Sequence, residues 1–447
     1  MTSFLPFVPT TEQVVILEKI KMFLTDEQDF LIVKGAAGTG KTSIMKAVAD
    51  FLNQESIGFE LLAPTGRAAK NIASKAGFQA ETIHAHVYIP ETNEDEAKVR
   101  FLRKTNKFSE LRVYIIDESS MISNLVSNSQ EFESDTPMLS DLIAFIKQGN
   151  KSNKIIFVGD DCQLPPVGYK AHQQSPALDL SYLQKTFQLQ GNMIRLSRVM
   201  RQSEGSYILD AAYELRSFIE KEQAYTANIG RAMYNPNHVT DLYLQRYDIN
   251  NPENVSIIAY SNDYIDRCNK MVREKLGLRG LLAKNDLVVL NRNYFGKDFT
   301  YIPSGEVAKV VATGSVRTVA ELRFMEVELA LFNKGDEAFT VSTKIMLDAL
   351  ENPKLVTHDK KKALFASANK NNPAYRSSKN ICDDEFLSAM QVNYAHAFNC
   401  HKAQGSEWNT ILLNSWMPDT DQRFLYTGIT RAKNELFTNN AHTFKRA

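Results

Sequence analysis

The feature that most constrains this chain is the run Gly35-Ala36-Ala37-Gly38-Thr39-Gly40-Lys41-Thr42. It satisfies the phosphate-loop pattern at every fixed position. Such a loop needs a strand before it and a helix after it, and both are legible. Phe30–Val33 is a short apolar run that leads into Gly35. After Gly40 the period changes: Ile44, Val48, Phe51 and Leu52 fall at i, i+4, i+7 and i+8, a helical spacing. In such a loop the glycines let backbone N–H groups converge on phosphate oxygens. Lys41 would reach the β- and γ-phosphates and Thr42 would ligate Mg²⁺. The helix adds its positive N-terminal end.

Other short apolar runs also end at chemically loaded residues. Leu61-Leu62 runs into Pro64-Thr65, Val113–Ile116 into Asp117-Glu118, and Ile155–Val158 into Gly159-Asp160. Short continuous apolar runs between helical patterns predict buried parallel strands of an α/β domain. The second half repeats the theme at Val255–Tyr260, Ile411–Leu413 and Leu436-Phe437. Two segments break it. Residues 85–109 carry acids (Glu91, Glu94, Asp95, Glu96), then bases (Lys98, Arg100, Arg103, Lys104, Lys107) around Phe101. Residues 299–392 start with β-like runs (Val307–Val311, Val327–Leu331). They continue with seven Lys/Arg and one acid, Asp359, between Lys354 and Lys379. Both are expected to be insertions.

Composition sets outer limits. The 447 residues are 43% apolar and 23% charged, ordinary for a globular protein. No apolar run approaches the ~20 residues of a membrane span, and Met1–Pro9 lacks the pattern of a signal peptide. Cys162, Cys268, Cys382 and Cys400 lack zinc spacing. A reducing, cytoplasmic setting is the expectation. With 52 Lys+Arg against 52 Asp+Glu, a uniformly basic nucleic-acid binder is excluded, but a local basic track is not.

Three further groups extend the nucleotide site. Asp117 ends a strand, where an aspartate can hold Mg²⁺, and Glu118 beside it could polarise an attacking water. Gln163, in Gly159-Asp160-Asp161-Cys162-Gln163-Leu164-Pro165-Pro166-Val167, follows the next strand and could touch the γ-phosphate. Phosphoryl transfer also benefits from an arginine at the γ-oxygens. The second half supplies Arg201, in Leu196-Ser197-Arg198-Val199-Met200-Arg201-Gln202, and Arg431, in Tyr426-Thr427-Gly428-Ile429-Thr430-Arg431.

Taken together, these motifs resemble a superfamily 1 helicase of the 1B branch, which contains RecD-like, Pif-like and Dda-like enzymes. The residues that carry the resemblance are Gly35–Thr42, Ala63–Ala69, Thr82-Ile83-His84, Asp117–Met121, Gly159–Val167, Arg201-Gln202, His401–Ser406 and Tyr426–Ala432. Their order and approximate spacing run through nearly the whole chain. The compact length and short first insertion are most similar to the Dda-like layout.

The resemblance implies two RecA-like parallel-sheet domains with ATP between them. Residues 1–84 and 110–190 would form the first, with a pin insertion at 85–109. Residues 191–298 and 393–447 would form the second, with a small β-barrel and basic arm at 299–392. It implies nucleotide contacts from Gln13, Gly35, Gly38, Thr39, Gly40, Lys41, Thr42, Ser43 and Gly405. It implies Mg²⁺ at Thr42 and Asp117, Glu118 as base, Gln163 as γ-phosphate sensor, and Arg201 and Arg431 as fingers. Pro64, Thr65, Thr82, His84, His401 and Lys402 would line a single-strand track. Phe101 is the candidate pin aromatic, with Tyr88 and Phe108 as competitors.

The expected activity is ATP-driven 5′→3′ movement on single-stranded DNA with duplex unwinding, by a monomer working at single-strand/duplex junctions. The polarity comes from the resemblance alone. The alternatives are a translocase that strips proteins from DNA and an ATPase subunit of a recombination complex. The chain departs from its relatives at Ser304-Gly305-Glu306, where Asn-Gly-Glu is usual, and at Cys400, where threonine often stands.

Overall fold

The computed structural model describes residues 1–93, 98–126, 132–170, 173–197, 207–223, 232–233, 238–296, 301–332, 339–417 and 421–439. Its first sheet has six parallel strands: β1 (Phe30–Gly35), β2 (Gly58–Ala63), β3 (Glu81–Thr82), β6 (Arg112–Ile116), β8 (Lys154–Gly159) and β9 (Gly191–Leu196). Their spatial order is β3-β2-β6-β8-β1-β9. The central strands are buried along their length because helices cover both faces. These helices are α1 (Thr11–Phe23), α2 (Lys41–Gln54), α3 (Gly66–Ala76), α4 (Ile83–Val87), α5 (Met138–Gly149) and α6 (Leu180–Phe187). Parallel strands need crossovers, and the crossovers supply the cover. Two apolar layers follow. One joins Val33, Ile44, Val48 and Ile156, and the other joins Phe30, Tyr114, Ile146 and Phe157.

Between β3 and β6 the chain makes a hairpin of β4 (Tyr88–Asn93) and β5 (Lys98–Arg103), which β7 (Phe132–Glu133) extends to three strands. Asn93 pairs with Lys98 at its closed end.

The second parallel sheet contains β10 (Ala232–Met233), β11 (Val255–Ala259), β19 (Ala397–Asn399), β20 (Trp408–Leu413) and β21 (Ala432–Thr438), in the order β10-β21-β20-β11-β19. Helices α7 (Tyr207–Glu220), α8 (Val239–Leu244), α9 (Asn262–Lys275), α13 (Cys400–Ala403) and α14 (Gln422–Ile429) flank it. An antiparallel sheet is inserted between β11 and β19. Its strands are β12 (Leu287–Leu290), β15 (Val307–Val319), β16 (Leu322–Leu331), β17 (Phe339–Met346) and β18 (Val392–Tyr394). Their order is β17-β16-β15-β12-β18, and the Ile345–Met390 bridge brings its two ends together. A side hairpin, β13 (Tyr294–Phe295) with β14 (Tyr301–Ile302), leaves this sheet. The basic stretch is helical: α10 (Leu347–Glu351), α11 (His358–Asn371) and α12 (Pro373–Ser378).

Candidate nucleotide and nucleic-acid sites

The phosphate loop connects β1 to α2 with Gly38 and Gly40 in the left-handed region, φ 81° and 87°. Only glycine takes that conformation without steric cost. Lys41 closes over the loop, its Nζ donating to the carbonyls of Gly35 (2.7 Å) and Ala36 (3.0 Å). Thr39 is buried and its hydroxyl donates to Ala36 O at 2.9 Å. Thr42 and Ser43 occupy the first turn of α2. Gln13 is buried beside the loop. It forms a capping box with Thr10, accepting Thr10 N–H at its Oε1. Its Nε2 has no partner and lies next to Gly40.

Asp117 and Glu118 leave the end of β6 together. Glu118 has φ 48°, and its N–H donates to Asp117 Oδ1 at 2.8 Å. Burial, and then the neighbouring Glu118, push the Asp117 carboxyl up to about 7. Gln163 is 4% exposed with an unpartnered Oε1. Next to it, Leu164 N–H donates to Thr427 Oγ1 (2.9 Å) and Leu164 O accepts from Gln404 Nε2 (3.0 Å). Both partners belong to the second domain. The nucleotide motifs of the first domain therefore face that domain directly.

Arg431 is 5% exposed. Its guanidinium donates to Thr427 O (3.1 Å), Ser406 O (3.2 Å) and Thr430 Oγ1 (3.1 Å). These partners belong to its own domain, so here Arg431 is caged by its turn rather than extended as a finger. Arg201 lies outside the described residues. Gly405 sits against α3. It packs against Ala68 of α3, and its carbonyl accepts from Asn71 of the same helix. These contacts are on the domain seam, where α3 packs under the turn after α13.

The expected DNA-side residues are built into caps and packing. Thr65 caps α3 by accepting from Ala68 N–H, and Thr82 caps α4 by accepting from Ala85 N–H. His84 is stacked near Tyr88 (5.6 Å between ring centres) and Phe101 (5.5 Å), and burial lowers its pKa. Phe101 stands opposite Pro90, back from the closed end of the hairpin, so it is not the tip. Tyr88 is buried with its hydroxyl on Asp141 (3.0 Å), and Phe108 lies under the Arg112 guanidinium (3.7 Å). Across the seam, Lys402 Nζ donates to Asn291 Oδ1 at 3.1 Å, and burial lowers the His401 pKa.

Helix α3, which follows Pro64-Thr65, is gripped from the other half along one face. A Cβ on Gly66 would lie 2.0 Å from Pro303 Cβ. Arg67 stacks on Trp408 (4.9 Å) and pairs with Glu253 (3.8 Å). Lys70 pairs with Glu306 at 2.9 Å. The Ser304-Gly305-Glu306 departure thus still delivers its acid to the first domain.

Comparison with known proteins matches both halves. Residues 11–228 fit an AAA domain model, and residues 394–437 fit the UvrD-like helicase C-terminal domain. The RecBCD enzyme subunit RecD of Buchnera aphidicola is 24% identical over 94% of this chain and 72% of its own length. The ATP-dependent RecD2 DNA helicase of Deinococcus radiodurans is 26% identical over 91% of this chain. That alignment spans only 46% of RecD2. The ATP-dependent DNA helicase dda of Enterobacteria phage T4 is 23% identical over 93% of this chain and 95% of its own. In sequence the chain is thus similar to RecD-like and Dda-like helicases of superfamily 1B.

The fold agrees. A solved structure of Pif1 helicase on forked duplex DNA superposes with a TM-score of 0.54 at 16% identity, covering 98% of this chain and 93% of that one. Pif1 helicase from Candida albicans gives 0.50 at 16% identity, covering 97% and 95%. The two parallel sheets are RecA-like domains.

Two residues of this seam were not singled out in the sequence. Arg216 of α7 is 6% exposed. Its guanidinium holds Asp160 Oδ1 (2.5 Å), Asp161 Oδ1 (2.8 Å) and Glu220 Oε1 (3.0 Å). Burial opposes the charge on Asp161, but Arg216, Lys34 and Arg195 outweigh it and hold that carboxyl below its usual range. Tyr426, quoted only as part of a motif, donates its hydroxyl to Asp160 Oδ2 at 2.6 Å. A usable signal existed for Arg216. Ile208, Ala211, Ala212, Leu215 and Arg216 fall at i, i+3, i+4, i+7 and i+8, which places a charge on the buried face of a helix.

Proposed function

We propose that this chain is an ATP-dependent DNA helicase that moves 5′→3′ on single-stranded DNA and unwinds duplex at single-strand/duplex junctions. The observation that carries the reading is the seam. A complete phosphate loop, an Asp-Glu pair and Gln163 face a second RecA-like domain whose Thr427 and Gln404 hold the residue next to Gln163. Changes at the γ-phosphate are thereby tied to relative movement of two domains.

The donor set fits a Mg²⁺-nucleotide. Gln13 presents an unpartnered amide N–H for an adenine edge, and Gln163 presents an unpartnered carbonyl that can accept from the attacking water. Lys41 has only loop carbonyls to exchange for phosphate oxygens. Asp117, buried beside Glu118, favours a cation at its oxygens. Gly35, Gly38, Thr39, Gly40 and Ser43 complete the phosphate cradle. Thr42 and Asp117 would hold Mg²⁺, which neutralises charge on the transferred phosphoryl group. Glu118 orients the attacking water and takes its proton. Arg431 exchanges its bonds to Thr427 O and Ser406 O for γ-oxygens, and Arg201 adds a second positive charge.

Along the seam, Thr65, Thr82, His84, His401 and Lys402 hold the strand through its phosphates, with Pro64 lining the track, which fixes position without reading sequence. Phe101, at the foot of the hairpin, is the pin aromatic of this reading. Closure and reopening of the seam then move the strand in steps. The chain works as a monomer in the cytoplasm, a setting with which its four free cysteines accord. Among the described residues no helix is long and apolar enough to cross a membrane.

The test is strand separation on matched duplexes carrying a 5′ or a 3′ tail, with ATP turnover followed in parallel. Opening of the 5′-tailed duplex alone is expected. DNA-stimulated turnover with neither duplex opened would replace the helicase by a translocase. Opening from the 3′ tail alone would reverse the polarity.

A further inference from the structure

The segment Asp160–Leu164 is continuous with β8 of the first domain, yet most of its side-chain bonds come from the second. The Asp160 carboxylate is fully buried. Its Oδ1 accepts from Arg216 Nη1 (2.5 Å) and from Cys162 N–H (3.1 Å), and its Oδ2 accepts from the Tyr426 hydroxyl (2.6 Å). Tyr426 also accepts from the backbone N–H of Ala37, inside the phosphate loop, at 3.4 Å. The next residue, Thr427, takes Leu164 N–H, and Gln404 gives its amide to Leu164 O.

We propose that Tyr426, supported by Arg216, is a positioning residue that fastens the phosphate loop and the segment carrying Gln163 to the second RecA-like domain. This rests on the ATPase reading above. A hydroxyl has one proton, and a carboxylate only accepts, so that proton goes to Asp160. The hydroxyl's lone pairs are left for Ala37 N–H and for Arg216 Nη1, also 3.4 Å away. The bond to Asp160 is short and charge-assisted, whereas the bond to Ala37 is long and readily exchanged. The hydroxyl is therefore fixed on the sensor side and adjustable on the phosphate side. Because Leu164 is held at both its N–H and its carbonyl, Gln163 follows α14 when the domains move. The sensor thus travels with the second domain although its strand belongs to the first.

The decisive variant is Tyr426→Phe, which removes the hydroxyl at nearly constant volume. Tyr207→Phe is the control. It removes a hydroxyl bonded at 2.8 Å to Leu436 N–H of the same domain. ATP turnover of the full chain is measured over ATP concentration, with and without single-stranded DNA. Tyr426→Phe is expected to lower kcat about tenfold or more, the effect of losing one hydrogen bond to a charged group, with KM for ATP within about twofold. Tyr207→Phe is expected to keep both constants. Arg216→Lys keeps the charge but loses the fork, and should lower kcat in the same pattern. It serves if Tyr426→Phe folds poorly. Wild-type kcat in Tyr426→Phe would overturn the proposal. So would a rise in KM that accounts for the whole loss, since that is a binding role. A wild type whose turnover ignores DNA would sink the helicase reading instead, while the split between kcat and KM would still decide the role of Tyr426.

Discussion

Gly66→Ala separates the stability of α3 from the closure of the seam. Gly66 is the first residue of α3, directly after the Thr65 cap. Within that helix alanine is the better residue, by at most about 0.5–1 kcal/mol. The new methyl would meet Pro303 Cβ at 2.0 Å, Pro303 Cγ at 2.8 Å and Ser304 O at 3.1 Å. The last of these is backbone, and Pro303 is a rigid ring, so neither can swing aside. Overpacking of this kind costs about 1–3 kcal/mol. That cost falls only on the conformation in which Pro303 touches α3. It amounts to roughly a 5- to 150-fold loss in the ratio of closed to open seam. The Lys70–Glu306 pair is stretched by the same displacement but adds little, because Lys70 is partly exposed. The assay is unwinding rate and single-strand affinity, with thermal unfolding followed alongside. The expected result is at least a fivefold loss of unwinding with an unfolding midpoint close to wild type. Wild-type unwinding with a raised midpoint would show that the Gly66–Pro303 contact is not part of the working state.

Three other outcomes follow from the geometry. Lys41→Ala should lower turnover roughly 10²–10³-fold, with an unchanged circular-dichroism spectrum and retained strand binding, because Lys41 bonds only to loop carbonyls. Arg431→Ala should lose both turnover and about 1–3 kcal/mol of stability, since Ser406 O would lose its guanidinium donor in a buried site and Thr427 O would keep only the Thr430 hydroxyl. Unimpaired hydrolysis in that variant would remove Arg431 from the chemistry. His396, buried against Tyr243 at 2.9 Å, is pushed down to about 3 by burial and then by Arg273. The folded protein holds it neutral, whereas the unfolded chain binds a proton below about 6.5. Its stabilising share is therefore complete above that value and is lost as pH falls from about 6.5 toward 3. At pH 5.5 the loss is about 1.4 kcal/mol. Urea midpoints at pH 7.5 and 5.5 should differ more for wild type than for His396→Asn, and equal differences would refute the assignment.

The nucleotide half of the site was legible because its chemistry is local. Gly38, Gly40, Lys41 and Thr42 stand on one short loop and the helix turn that follows it, so their order in the chain is nearly their arrangement in space. The strands at Val113–Ile116 and Ile155–Val158 were legible because a buried parallel strand leaves a continuous apolar run. The helices of the basic stretch were not. Only Leu364 and Ala368 of α11 are buried, which is too thin a pattern to mark a helix. His84 and Gly405 could be matched to motifs, but a motif does not say whether an imidazole packs on a hairpin or a glycine on a facing helix.

By itself, then, the sequence determined the phosphate loop, the Asp-Glu pair, the parallel-sheet class and the resemblance to superfamily 1B helicases that these motifs carry. Only the tertiary structure decided that Arg431 is caged by its own turn, that Gly66 admits Pro303, and that Tyr426 joins Ala37 to Asp160. The physical reason is range. Loop conformation and strand burial are set by neighbours in the chain. A hydrogen bond between residues hundreds of positions apart exists only after two sheets have packed and turned their loops toward one seam.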